Sequence, residues 1–300
     1  MTLQIRKLSH ALGAEIVGAD LRRPLDERMF DEVHRAFLQH HVILFRGQEL
    51  TRSQFVAFAR RWGETDDMSV ASHSRAQAKA DQEARQMDPE FPEIFLNTNR
   101  PRNGWLKGFG VYAEIWHADR MHTTTPGMAS MLRSIEIPDV GGDTQFSNLQ
   151  LAYETLSDGM KRLLDGLHGI HTGGERAVFD ESDPERLEER RRANLPVAHP
   201  IVRVHPETGR KGLYIAEKVA QFADMTQEES RPLLRYLCDH AVRPQFVYRH
   251  QWQKDDLLIW DNRCTLHMAV NDYDRSQPRI MERICVKGQP SGYIVDTPLP

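Results

Sequence analysis

From residue 94 onward the sequence consists mainly of short apolar or alternating runs separated by turn residues, and this pattern limits the possible folds more than any other feature. The clearest runs are 128–134, 144–147, 257–261 and 279–286. Short runs of this kind, bounded by Gly, Pro, Asn or Asp, are typical of β-strands. Many short strands spread over more than half of a chain predict a sandwich or barrel of β-sheets.

Capping residues followed by apolar positions at three- and four-residue spacing mark the predicted helices. Two helices precede the strand-rich region and two are inserted in it. Their predicted caps are Asp26, Thr51, Ser157 and Thr226. The third helix is predicted to run to Leu167, and the fourth, which opens with a capping box to Glu229, to about Ala241. The helices are therefore expected to flank a mainly β core.

No linker divides the chain, so residues 1–300 are predicted to form a single domain. Two polar stretches, 66–89 and 173–198, contain few large apolar residues. Long connections of this kind in compact domains are usually functional or disordered. We interpret both as loops that act as lids over a site.

Composition excludes several classes of function. Lys and Arg number 39 against 43 Asp and Glu, which gives a net charge of -4 and argues against a nucleic-acid-binding or membrane-binding protein. Three cysteines without paired spacing indicate reduced thiols. The N-terminal residues lack an apolar signal region, and no apolar run is long enough for a membrane span. We therefore expect a cytoplasmic protein.

A candidate metal site begins at His117 and Asp119. Residues two apart on a strand point to the same face, so this imidazole and this carboxylate could bind one divalent ion. His267, on a later predicted strand, is the best third ligand, and two His with one carboxylate form the facial triad of non-haem iron oxygenases. The alternative is a His that is merely hydrogen-bonded to a carboxylate. His168 and His171, which could share a helical face, and His205, at a predicted turn, are weaker candidates.

Two arginines on the last long strand are candidates for anion binding. Arg279 and Arg283 are four residues apart, so they face the same side, opposite Ile280, Glu282 and Ile284. A guanidinium inside a cavity is costly unless it meets an anion, and its planar fork suits a carboxylate or sulfonate. The alternative is that this face of the strand is exposed to solvent.

Taken together, several segments resemble the TauD/TfdA family of Fe(II)- and 2-oxoglutarate-dependent dioxygenases. They occur in family order over nearly the whole chain: 12–21, 42–48, 116–119, 141–144, 199–202, 205–214, 260–263, His267 and 279–283. The resemblance implies a double-stranded β-helix, a distorted jelly roll, with the N-terminal helices packed outside.

The resemblance also implies roles for individual residues. His117, Asp119 and His267 match the iron ligands, Thr144 and Arg279 match the residues that hold 2-oxoglutarate, and Arg283 matches the residue that binds the acidic group of the substrate. With Fe(II), 2-oxoglutarate and O2, such an enzyme hydroxylates a small anionic organic compound and releases succinate and CO2. Sulfonates, sulfate esters and aryloxyalkanoates are the expected substrates, often with C–S or C–O cleavage.

The chain also departs from the taurine-specific pattern. The His that follows the 61–64 segment in those members is absent, and the nearest is His73. Arg120 and His122 replace smaller or apolar residues, and Lys218 replaces an uncharged one. These four residues are therefore additional candidates for the substrate pocket, and taurine itself is an unexpected substrate.

Other functions stay open at this stage. An enzyme of the same family could act on a natural-product or amino-acid-like intermediate, by hydroxylation or desaturation without cleavage. A zinc hydrolase would leave the presence of Thr144 and Arg279 unexplained. A non-catalytic jelly-roll binding protein would leave the intact triad unexplained. A homo-oligomer, dimer to tetramer, is also expected.

Overall fold

The computed structural model describes residues 3–66, 90–100, 114–172 and 195–295. Most of the two predicted lid segments lies outside these ranges. Five α-helices occur in the described part of the chain: α1 (Glu27–His40), α2 (Arg52–Arg60), α3 (Leu149–Glu154), α4 (Asp158–Leu164) and α5 (Gln227–Ala241).

The predicted caps start the helices as expected. The side chains of Asp26 and Ser157 accept hydrogen bonds from the first turns of α1 and α4. Thr51 and Thr226 form complete capping boxes at α2 and α5. These bonds satisfy backbone N–H groups that lack a partner within the helix, which is why short polar residues fix the helix starts.

The strands are short, as the turn pattern predicts. Their bounds are β1 (Gln4–Lys7), β2 (Ala14–Val17), β3 (Val42–Phe45), β4 (Phe95–Thr98), β5 (Gly127–Glu136), β6 (Thr144–Asn148), β7 (His168–His171), β8 (Val197–Pro200), β9 (Val202–Val204), β10 (Lys211–Leu213), β11 (Val219–Phe222), β12 (Val247–His250), β13 (Leu257–Asp261), β14 (Thr265–Ala269), β15 (Ile280–Lys287) and β16 (Tyr293–Ile294).

Within the described residues the largest sheet has the order β1-β2-β3-β13-β5-β15-β4. Smaller sheets have the orders β11-β7-β8-β16, β12-β6-β14 and β10-β9. The C-terminal strands β13 and β15 lie on either side of β5, and both pair with it antiparallel. Residues from the middle and the end of the sequence are thereby brought onto the same sheet.

Apolar side chains fill both faces of this large sheet. On one face, α1 and α2 pack against the sheet through residues such as Phe37 and Phe55, which are fully buried. On the other face, Trp260 and Met281 pack against Phe146 of the β12-β6-β14 sheet. Full burial of a large apolar side chain stabilises the fold by about 1.5–3 kcal/mol. The result is a sandwich with helices outside.

Strand β15 alternates as its sequence predicts. Glu282 lies on the helix-facing side, where the side chains of Arg133 and Arg52 donate to its buried carboxylate. Met281 lies on the opposite side, in the core between the sheets. Arg283, two residues from Met281, therefore points between the sheets, and the alternative of a solvent-exposed face is wrong.

Three sequence-based boundaries need correction. Helix α4 ends at Leu164 and not at Leu167, because the chain turns at Gly166, which has a φ of 82°. His168 and His171 then lie on strand β7 and not on a helical face. The end of the predicted 173–198 loop belongs to strand β8, which pairs with β7. Among the described residues, no helix is long and apolar enough to cross a bilayer.

Buried neutral histidines predict a loss of stability in mild acid. Burial lowers the pKa of His171 to about 3 and the pKa values of His41 and His199 to about 4. In the unfolded chain these side chains bind protons below about pH 6.5. Between pH 6.5 and 4 the unfolded state therefore binds more protons than the folded state. Each of these histidines then lowers the free energy of unfolding by about 1.4 kcal/mol for every unit by which the pH falls.

Urea unfolding of the wild type and of His171→Gln at pH 7, 6 and 5 tests this expectation. The variant should lose stability less steeply below pH 6.5, by about 1.4 kcal/mol per pH unit. A variant of the exposed His10, His10→Gln, is the control and should keep the wild-type slope. Equal slopes for all three proteins would contradict a buried neutral His171.

Candidate active site

The structure brings together the three residues predicted as metal ligands. His117 and His267 pair through reciprocal backbone hydrogen bonds of 3.1 and 2.8 Å, which place their ring centroids 4.2 Å apart. Asp119 follows two residues later, and Nε2 of His267 lies 3.9 Å from its Oδ2. One ligand atom from each residue lies within 4.8 Å of the other two. The set offers two imidazoles and one carboxylate on one side, the facial arrangement that suits Fe(II).

The protonation states of these three residues favour metal binding. Nδ1 of His117 lies 2.7 Å from the carbonyl oxygen of Ile115, which can only accept, so Nδ1 carries the proton and Nε2 keeps its lone pair. Burial lowers the pKa values of His117 and His267, so both are neutral near pH 7. Burial opposes the charge of Asp119, but the Arg283 guanidinium and the Ser130 hydrogen bond act against it, and the pKa of that carboxyl lies well below its usual range.

Asp119 is fixed by a closed ring of hydrogen bonds. The Ser130 hydroxyl donates to Oδ2 of Asp119 at 2.5 Å and accepts from the Asn262 side-chain amide at 2.9 Å. Oδ1 of Asn262 accepts in turn from the Asp119 backbone N–H at 3.1 Å and from the Trp260 indole at 3.0 Å. All four residues are buried. Sequence reasoning missed Ser130 and Asn262, although Asn262 lies within the 260–263 segment.

Arg283 contacts the candidate ligand set directly. Its Nη1 donates to Oδ1 of Asp119 at 2.8 Å, and its guanidinium lies over the Phe95 ring. Nε of Arg283 is buried and has no hydrogen-bond partner among the described residues. Cys285, on the same face of β15, places its thiol 3.9 Å from Oδ2 of Asp119. Among the described residues, Arg283 is therefore the cation that hydrogen-bonds to the carboxylate of this candidate ligand.

Arg279 and Thr144 lie beside the same turn. Nε of Arg279 donates to the Gly142 carbonyl at 2.9 Å. Gly142 has a φ of 71°, and a Cβ at this position would lie 3.2 Å from the Arg279 side chain, so the close approach requires glycine. The Thr144 hydroxyl accepts from the Trp252 indole at 3.0 Å. No carboxylate among the described residues lies within ion-pair distance of Arg279, whose pKa is lowered by burial.

The four additional pocket candidates have different positions. Arg120 is paired with the buried carboxylate of Asp66, at 3.1 Å from Nη1 to Oδ2. Lys218 is half-buried; burial lowers its pKa, and the Asp119 charge opposes this shift. His122 is also half-buried, on the His171 side. His73 lies outside the described residues.

A second group of ligand-type side chains is already satisfied by protein contacts. His205, Asp261 and Cys264 lie within 4.8 Å of one another. Nε2 of His205 donates to Asp261 at 3.0 Å, and its Nδ1 accepts from the backbone N–H groups of Glu207 and Thr208. Arg263 donates to both oxygens of Asp261. We interpret this group as a structural ion-pair network that joins β13 to the 205–210 turn.

Comparisons with known proteins agree with this geometry. The family described as taurine catabolism dioxygenase TauD, TfdA family matches residues 4–285. An alkylsulfatase of Acinetobacter baylyi is 33% identical over 96% of this chain and 86% of its own length. An alpha-ketoglutarate-dependent 2,4-dichlorophenoxyacetate dioxygenase of Cupriavidus pinatubonensis is 31% identical over 94% of this chain and 97% of its own length.

A solved structure extends the similarity to the fold. A taurine dioxygenase from Burkholderia xenovorans superposes with a TM-score of 0.79 at 32% identity, covering 99% of this chain and 96% of that chain. The predicted double-stranded β-helix is therefore confirmed.

The hydrogen-bonded ring around Asp119 predicts the effect of removing Ser130. Ser130→Ala deletes the hydroxyl that donates to Oδ2, so the carboxylate loses its orientation, and Mn(II) affinity should fall by about 10- to 100-fold. A metal titration of the purified protein measures this affinity.

Ser134→Ala is the matched control. Ser134 is a buried serine on the same strand, but its hydroxyl donates at 2.6 Å to the Gln253 carbonyl and not to Asp119. Its variant should keep the wild-type Mn(II) affinity. Equal losses in both variants would show that the effect is general destabilisation and not orientation of Asp119.

Proposed function

Since this chain belongs to the TauD, TfdA family of dioxygenases, we propose that it oxidises a small anionic organic substrate, at a metal centre formed by His117, Asp119 and His267, with release of succinate and CO2. The enzyme is an oxidoreductase that uses Fe(II), 2-oxoglutarate and O2. The observation that carries the proposed site is the convergence of these three ligand-type side chains, with neutral imidazoles and an ionised carboxylate.

The donor set fits the metal that the family uses. His117 offers Nε2, because its Nδ1 proton is held by the Ile115 carbonyl. Asp119 offers a carboxylate that Ser130 and Arg283 keep ionised and oriented. Iron bound there would supply the activation of oxygen and the oxidation of the substrate. The protein contributes the orientation of the reactants and the exclusion of water.

We assign Arg279 and Thr144 to the distal carboxylate of 2-oxoglutarate. Arg279 is partly buried, and the hydrogen bond that the structure gives its side chain goes to a neutral carbonyl, so its charge lacks a carboxylate partner among the described residues. The Thr144 hydroxyl accepts from Trp252 and thus can still donate its own proton. A guanidinium with a hydroxyl donor beside the same turn suits a carboxylate.

We assign Arg283 to the acidic group of the primary substrate. It points between the sheets, touches Asp119 and has a buried Nε without a partner in the described region. An acid bound there would lie beside the metal ligands, which is where the reacting carbon must be held. The names of the relatives, an alkylsulfatase and a 2,4-dichlorophenoxyacetate dioxygenase, support a sulfate ester, a sulfonate or an aryloxyalkanoate as the substrate.

Two further expectations remain proposals. We infer a cytoplasmic enzyme, since its co-substrate 2-oxoglutarate is a metabolite of the cell interior. We also expect a homo-oligomer, which size-exclusion chromatography with light scattering would test.

The enzyme is tested by succinate formation from 2-oxoglutarate with Fe(II), ascorbate and O2. A panel of alkylsulfonates, alkyl sulfate esters, aryloxyacetates and aryloxypropionates would be screened, with phenylpropanoid and amino acids as the contrasting class. Stimulation by one anionic class supports the proposal and identifies the substrate class. Stimulation only by the contrasting acids would contradict the proposed substrate class and favour an enzyme that acts on a natural-product or amino-acid-like intermediate.

Substitutions should separate the two arginine roles. Arg279→Ala should raise the KM for 2-oxoglutarate by about tenfold or more, and Arg283→Ala should raise the KM for the primary substrate to a similar extent, because each loses a charge-assisted contact worth about 1.5–3 kcal/mol. The reverse pattern would mean that the roles are exchanged.

His117→Ala and His267→Ala should abolish turnover, and Fe(II)-dependent activity in either variant would contradict the ligand assignment.

A further inference from the structure

Arg120, the residue directly after the candidate ligand Asp119, has an unusual backbone conformation. Its φ is 61°, in the left-handed region that non-glycine residues rarely adopt. Its carbonyl accepts hydrogen bonds from the backbone and side chain of Thr123, which close the turn after the ligand. This turn lies directly after the candidate ligand Asp119 in the sequence. A strained residue at such a position is a reason to look for a specific role.

The Arg120 side chain meets a carboxylate that is almost completely buried. Nη1 of Arg120 lies 3.1 Å from Oδ2 of Asp66, and Asp66 is 2% exposed. Asp66 is held against β15, since its backbone N–H donates to the Cys285 carbonyl at 2.9 Å and Thr65 pairs with Val286. The pair therefore joins the turn after Asp119 to the strand that carries Arg283.

This arrangement places two carboxylates and two guanidinium groups around the candidate substrate site. Asp66 pairs with Arg120, and Asp119 pairs with Arg283. Arg283 is two residues from Cys285, which binds the Asp66 backbone, so the Asp66 carboxylate also lies within the electrostatic reach of Arg283. A buried carboxylate without its partner is strongly disfavoured and attracts the remaining cations. For Asp66 these are Lys287, which already pairs with Glu64, and Arg283.

We propose that Arg120 is a positioning residue that neutralises Asp66 and thereby leaves Arg283 available to the acidic group of the substrate. This inference rests on the proposed function, since it takes Arg283 as the substrate-binding cation. Arg120 then has a different role from the substrate contact that the sequence suggested. Its side chain does not contact the substrate but determines how much of the Arg283 charge is available to the substrate. Without Arg120, Asp66 would join Asp119 in competing with the substrate for Arg283.

Charge-neutral variants test this directly. Binding of methyl sulfate, a monovalent anion probe, would be measured by calorimetry on the full-length protein loaded with Mn(II) and 2-oxoglutarate under anaerobic conditions. Arg120→Gln should weaken this binding by about tenfold, the effect expected for one uncompensated buried charge near the site. Asp66→Asn combined with Arg120→Gln removes both charges and should restore the dissociation constant to within about twofold of the wild type.

Two controls define the site and the specificity. Arg283→Ala should abolish the binding, which shows that the probe occupies the Arg283 site. Arg210→Gln removes an arginine from a partly exposed ion pair with Glu154, which shares no residue with the Asp66–Arg120 and Asp119–Arg283 pairs, and should leave the dissociation constant unchanged. Urea unfolding of the same variants separates stability from binding, because a merely structural pair would weaken binding only in a variant that is also less stable.

The possible outcomes are distinct. An Arg120→Gln variant that binds methyl sulfate as tightly as the wild type overturns the inference, as does a double variant that binds as weakly as Arg120→Gln. Absence of Arg283-dependent binding in the wild type also overturns it. If binding and rescue occur as expected but no anionic compound stimulates succinate formation, the proposed substrate class fails while the role of Arg120 stands.

Discussion

The confinement of the Asp119 carboxylate between two sheets is the constraint on which the rest of the site depends. A carboxylate surrounded by apolar side chains is costly unless cations and hydrogen-bond donors compensate it. Arg283 and Ser130 supply this compensation, and they lie on the neighbouring strands β15 and β5. The order of strands in the large sheet therefore determines whether an ionised carboxylate can exist at this position.

The same topology makes the site a product of the complete fold. β13 and β15 come from the end of the sequence, yet they enclose β5, and Asn262 follows β13 directly. His267 on β14 meets His117 only through a two-residue bridge. No local segment contains the candidate ligand set, so the geometry of the candidate metal ligands forms only when the C-terminal strands have paired. Substitutions that weaken this pairing should thus affect metal binding and stability together.

The sequence predicted the parts of the structure that local physics determines. Helix starts follow from capping side chains, and the inward direction of Arg283 follows from the alternation of β15. The partners of buried charges were not predictable, because they are distant in sequence. His205 looked like a turn residue, yet its ring also donates to the buried Asp261. Likewise, the charge of Arg120 suggested a substrate contact, and only the structure shows its pairing with Asp66.

Arg279 and Arg283 show why spacing alone cannot assign roles. They have the same side chain, and their spacing of four places them on the same side of one predicted strand, so the sequence treats them alike. Their neighbours differ: Arg279 donates to a carbonyl, whereas Arg283 donates to an ionised carboxylate that is itself a candidate metal ligand. A dicarboxylate at Arg279 meets a cation that has no carboxylate partner among the described residues. An acid at Arg283 must instead share its cation with Asp119, so its binding depends on the charge balance around that carboxylate. Under the proposed role of Arg283, this dependence gives Asp66 and Arg120 influence over substrate binding even though neither is a candidate metal ligand.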